Sequence, residues 1–187
     1  MRRRLPRTYQ TAMIKMAAEK KEVGGDIDFE QTGDTTMTVH QGRKNDITLH
    51  PDEESEVIFH THPVDDDADA ILQRTPSPHD VKILLEMTDD DNWAIATKHG
   101  ISIYTDTSKS PKYSKEIEQQ MWDDYNRLKK ESYKKHLNVA NHNKRSVKQT
   151  QWYTKEWLKV LRHKYGIRVK MYDPNDKITL NLREVKN

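Results

Sequence analysis

The chain has 187 residues, one third of them hydrophobic and one third charged, with a net charge of +2 and a mean hydropathy of −1.06. That length suits one domain, or one domain with a substantial extension, and a modest core, and the near balance of charge singles out no partner. With no cysteine, a disulfide scaffold, a Cys-based zinc finger and a thiol nucleophile are excluded.

Residues 1–7 are basic and read as loose; Met1-Arg-Arg-Arg-Leu-Pro lacks the apolar run of a signal peptide. No stretch approaches the roughly 20 apolar residues of a membrane span, so the expectation is a soluble intracellular, cytoplasmic protein without membrane partners. Pro6 suits a helix start and Thr8 a cap, and Ala12, Met13, Met16 and Ala17 recur at helical spacing up to Lys20-Lys21. After Glu22-Val-Gly-Gly, Ile27 and Phe29 alternate with Asp26 and Asp28, which reads as a strand with one wet face. Thr35–His40 is a Thr-rich strand, Ile47–His50 a short one, and Glu56–Thr61 the most strand-like run so far. Asp65–Asp69 is an acidic loop. Val81, Leu84, Leu85 and Met87 then mark a helix, and Asp89-Asp-Asp-Asn a turn. Trp93–Thr97 and Ile101–Thr105 flank Lys98-His99-Gly100 as a hairpin. This order of elements predicts an α/β domain over residues 1–108, a mixed sheet flanked by helices.

Residues 109–187 read as an extension. Ile117, Met121, Tyr125 and Leu128 form one helical stripe, and Tyr153, Trp157, Val160, Leu161 and Tyr165 a second, with Gly166 at the C-cap. Ile167, Val169 and Met171, then Ile178, Leu180 and Leu182, predict a terminal β-hairpin. Between the helical stripes, residues 127–148 carry eight Lys/Arg against one Glu. We read this run as a solvated surface, with binding to nucleic acid or to an acidic protein as the less favoured alternative. Trp152 and Trp157 read as packing residues.

The chemistry concentrates in Glu56–Asp80, EVIFHTHPVDDDADAILQRTPSPHD. His60 and His62, two apart on a strand, present both imidazoles to one face about 7 Å apart at their attachment points. Such a pair is half of a usual zinc site, and Asp80, in the first turn of the next helix, can supply a third ligand. Two His, one Asp and an open position is a catalytic arrangement, in which zinc lowers the pKa of a bound water to about 7. Hydrolysis also needs a base, and composition alone leaves Glu19, Glu22, Glu30, Glu54 and Glu56 open. Each piece also has a plain reading. A lone His-x-His on a strand is more often incidental, and Ser77-Pro78-His79-Asp80 reads fully as cap, first-turn proline and dipole-complementing acid.

Taken together, His60-Thr-His62-Pro63 and Ser77-Pro-His-Asp80 resemble the signature of the JAMM (MPN+) metalloprotease family, whose upstream Glu matches Glu22 in Glu22-Val-Gly-Gly25. The resemblance covers about residues 5–107 and implies that family's cytidine-deaminase-like α/β fold. It implies one zinc held by His60, His62 and Asp80, with Glu22 as the base and Ser77 as the oxyanion donor. It further implies a zinc isopeptidase or peptidase, acting on ubiquitin or a ubiquitin-like conjugate. Two features depart from the family's pattern: Asp26 and Asp28 stand where apolar residues are usual, and the Pro63–Ser77 gap is long. The alternatives are a catalytically inactive MPN-fold scaffold working through its basic C-terminal region and, less favoured, a metal phosphoesterase. Oligomeric state is not legible in the chain.

Overall fold

A computed structural model describes residues 2–19, 22–30, 33–42, 55–62, 72–87 and 92–182. Among them the order is β1 (Arg2–Arg4), α1 (Arg7–Met16), β2 (Val23–Phe29), β3 (Thr35–Gln41), β4 (Val57–Thr61), α2 (Pro78–Glu86), β5 (Asn92–Thr97), β6 (Gly100–Thr105), α3 (Lys115–Lys135), α4 (His142–Lys164), β7 (Arg168–Tyr172) and β8 (Thr179–Asn181). The expected strand at Ile47–His50, the helix end at Lys20-Lys21, the acidic loop at Asp65–Asp69 and the turn at Asp89 lie outside the described residues.

Six strands form one mixed sheet in the order β3-β2-β4-β5-β6-β7. All neighbours are antiparallel except β4 and β5, which run parallel. Parallel neighbours need a crossover, and here the crossover includes α2. The helix runs back along the sheet, which brings its first turn to the carboxyl end of β4. Strand periodicity then sorts the side chains. Ile58, Trp93, Ile95 and Tyr104 face α2, α3 and α4 and pack with Val81, Met121, Tyr125 and Trp157. Val57, Phe59, Ala94 and Ile101 face the other way and pack with Leu5, Met13 and Leu180.

Alternation identified most strands but not their partners. Ile167–Met171 and Ile178–Leu182 were expected to pair as a hairpin. Instead β7 joins the main sheet against β6, in the register Tyr104↔Val169, while β8 pairs with β1 as Arg3↔Leu180. The basic N-terminus is therefore not loose: Arg2–Arg4 is a strand, and Leu5 is fully buried. Helix α1 starts after Pro6 with no side-chain cap, so Thr8 does not fill the capping role. The face of β2 expected to be wet is mostly covered; Asp26 is only 7% exposed. Gly25 is not a turn residue. It lies mid-strand, where a Cβ would fall 1.8 Å from the Thr38 carbonyl oxygen. The glycine thus permits a close approach of β2 to β3.

The two stripes in 109–187 are the long helices α3 and α4. Ser114 and Asn141 cap them through side-chain bonds from Ile117 N–H and Lys144 N–H. Gly166, with φ +67, ends α4 in the left-handed conformation expected of a C-cap glycine, and Ile167 N–H returns to the Leu161 carbonyl.

Candidate metal centre

His60 and His62 sit at the end of β4, where the crossover delivers the first turn of α2. Their Nε2 atoms are 2.9 Å apart, and Asp80 Oδ1 lies 3.2 Å from His60 Nε2. One ligating atom from each of the three residues falls within 4.8 Å of the others, and this is the only such three-residue group found among the described residues. A tetrahedral zinc with bonds of about 2.0–2.1 Å keeps its ligand atoms about 3.3 Å apart, so the spacing of these donors fits that ion. His60 and Asp80 are buried and His62 is half-buried.

Local bonds prepare each ligand. His62 Nδ1 is 2.8 Å from the Gln73 carbonyl oxygen, which can only accept; Nδ1 therefore carries the hydrogen and Nε2 the lone pair that faces the site. Asp80 divides its two oxygens. Oδ2 accepts from Ser77 N–H at 2.7 Å, and Oδ1 faces His60. Ser77 Oγ accepts from Asp80 N–H at 3.3 Å in a complete capping box, a bond that does not use its own hydroxyl hydrogen. The helix-cap reading and the ligand reading of Asp80 therefore hold together, on different atoms.

The electrostatics favour an anionic Asp80. Burial alone would raise its pKa, but the His60 hydrogen bond, the two imidazoles and Ser77 hold it well below the usual carboxylate range. Burial also works against a charged His60, yet the bond and charge of Asp80, with a smaller push from Glu22, raise its pKa. His62, desolvated and beside His60, is pushed down to about 4 and stays neutral at physiological pH. Without metal, the raised pKa favours a His60 imidazolium paired with Asp80, and metal binding must displace that proton. Zinc affinity should therefore fall about tenfold per pH unit once pH drops below the His60 pKa, with close to one proton released per ion bound between about pH 5 and that pKa and the count falling toward zero above it. Calorimetry in buffers of different ionisation enthalpy measures that proton count.

Glu22 extends the register that pairs Gly24 with His60, so it lies on the site face of β2 alongside His62. Glu22, His62, Leu72, Gln73, Thr75, Ser77 and Tyr125 line one cleft of about 300 Å³. The other glutamates considered as bases are elsewhere. Glu56 Oε2 accepts from Phe29 N–H at 2.7 Å at the opposite end of β4, Glu30 is exposed past the far end of β2, and Glu19 is exposed after α1. Glu54 is outside the described residues, as are Pro63 and the acidic loop. A second cleft, of about 280 Å³, lies between β6, β7 and β8 and contains none of His60, His62 and Asp80.

Three contributors were not read from sequence. The Gln73 carbonyl that orients His62 leaves no residue-type signal, because any residue offers that oxygen. Tyr125, read only as part of a helical stripe, also walls the cleft. Trp157 was read as a packing residue; it packs, and its Nε1–H also donates to the Pro76 carbonyl at 2.8 Å, bracing the turn that carries Ser77 and Asp80. Replacing Trp157 by Phe would leave that buried carbonyl unpaired, at a cost of about 1–3 kcal/mol. The expected result is a lower melting temperature together with weaker zinc binding, read by thermal melts and zinc titration of the same sample. No family model, curated protein or solved structure matches this chain.

Proposed function

We propose that this protein is a zinc-dependent isopeptidase or peptidase of the JAMM type, hydrolysing an amide bond such as the one joining ubiquitin or a similar modifier to a lysine. The observation that carries the reading is the convergence of His60, His62 and Asp80 beside a cleft that also holds Glu22 and Ser77. The resemblance of both motifs to that family's signature supports it. The open, two-edged sheet argues against the phosphoesterase alternative, whose usual scaffold is a closed (β/α) barrel.

His60, His62 and Asp80 would hold the ion, leaving a fourth position toward the cleft. Zinc, when bound, supplies the Lewis acidity that makes water nucleophilic near neutral pH. The chain's own groups do the rest. Glu22, on the site face beside His62, takes the proton of the attacking water and returns it to the departing amine. Ser77 O–H donates to the carbonyl oxygen as charge develops there. Leu72 and the Tyr125 ring narrow the cleft and limit its water.

The test is cleavage of a ubiquitin–lysine isopeptide probe by zinc-loaded protein. Turnover that a chelator abolishes and zinc restores supports the reading. A zinc-loaded protein that cleaves no modifier conjugate would instead be a non-catalytic module of the same fold.

A further inference from the structure

Within the basic run at 127–148, Leu128 packs in the core and residues 133–148 form the distal end of the α3–α4 hairpin. Buried side chains hold the proximal parts of both helices to the sheet, but they stop at Ser132 on α3 and resume at Tyr153 on α4. Ser132 Oγ donates to the Gln149 carbonyl at 2.9 Å, and just beyond it Lys135 Nζ lies 5.0 Å from the centre of the Trp152 ring. Beyond it, residues 133–148 include no buried side chain. The tip begins about 12 Å along α3 from Tyr125 in the cleft wall.

Among the described residues, no carboxylate forms an ion pair with the Lys and Arg side chains of this tip. Residues 133–148 contain five Lys/Arg and no carboxylate, and the preceding Glu131 is held by Arg127 at 3.0 Å. Because the whole chain is only +2, the remainder of the molecule is net acidic. An anionic polymer would be repelled by the body and drawn to the tip. Three of the four large hydrophobic side chains exposed among the described residues are here as well: Tyr133 at 58%, Leu137 at 45% and Val147 at 40%. Three such side chains among five Lys/Arg are too few for the broad apolar face of a helix that lies in a membrane surface. One exposed tyrosine is also too little for the base-stacking platform that single strands use. Lysines on two adjacent helices, with Asn and His around the turn, match the donors that hold the phosphates of a duplex.

We infer that the end of the α3–α4 hairpin is a binding surface for double-stranded nucleic acid, engaging its phosphate backbone without reading sequence. The inference does not depend on the zinc reading, since the tip includes none of the cleft residues.

The test is anisotropy of a labelled DNA duplex against the full-length protein between about 50 and 200 mM salt, where backbone binding falls steeply. Replacing Lys134, Lys144 and Lys148 together by Gln should weaken low-salt binding at least tenfold. It should also flatten the log–log salt slope by about two to three. The matched control, Gln at Lys15, Lys109 and Lys177, removes the same charge from exposed positions on the body and should bind like wild type. Unchanged circular dichroism and melting temperature in both triple variants would show that neither substitution disturbs the fold. The inference is overturned by absent duplex binding at low salt or by equal losses in the two triple variants. Preference for the single strand, for polyglutamate or for phosphatidylserine vesicles would overturn it too.

Discussion

Replacing Glu22 by Gln should leave zinc content unchanged and lower kcat on an isopeptide probe by about 10²–10⁴-fold. The substitution keeps the size and hydrogen bonding of the side chain and removes its ability to take a proton. Glu22 stands on the neighbouring strand and is not one of the three converging ligands, so metal retention is the natural companion of lost activity. A variant that lost both would place Glu22 among the ligands. A variant that lost neither would move the base to a residue outside the described cleft. Because no ligand–zinc contact changes, KM should move far less than kcat.

Asp80→Asn should weaken zinc binding by at least about 100-fold, more than the usual effect of disturbing an outer-shell partner. An amide has one acceptor oxygen where the carboxylate has two, and Asp80 uses both, one toward Ser77 N–H and one toward His60. Asparagine must therefore choose between capping α2 and facing the metal, and it lacks the charge for the second task. The metal-free variant also loses the partner of the His60 imidazolium. The sign follows from the shifts. The raised His60 pKa contributes stability below the ordinary histidine range that is lost as pH rises through the folded value. The depressed Asp80 pKa contributes stability above the ordinary carboxylate range that is lost in acid. In metal-free protein the stability difference between wild type and Asp80→Asn should thus be largest between about pH 5 and 6 and shrink on either side. Thermal melts of chelated samples across pH measure it.

The centre was legible for a physical reason. Period two on a strand forces His60 and His62 to one face, and a Ser-Pro-x-Asp helix start puts a carboxylate in a first turn whatever the fold around it. What joins them is the crossover between parallel strands, and a parallel pairing of β4 with β5 leaves no local mark in either segment. The same limit explains the wrong hairpin. The alternation in Ile167–Met171 and Ile178–Leu182 is real, but partner choice was settled by α3 and α4, which return the chain beside β6 and leave β8 to pair with Arg2–Arg4. The N-terminal strand was invisible because three arginines show no apolar alternation; its order comes from backbone pairing with residues 179–181. Asp26 was read as wet because acids usually are, yet its strand lies in the sheet interior between β3 and β4.

The most direct test of the central claim is the zinc content of purified wild-type protein beside His62→Ala. His62 contributes a neutral imidazole already oriented by Gln73, and its removal leaves the α2 capping box intact. The account predicts about one zinc per chain in wild type, lost in the variant while the protein stays folded. Wild-type protein that takes up no zinc even when it is supplied, or His62→Ala protein that retains a full equivalent, would contradict it.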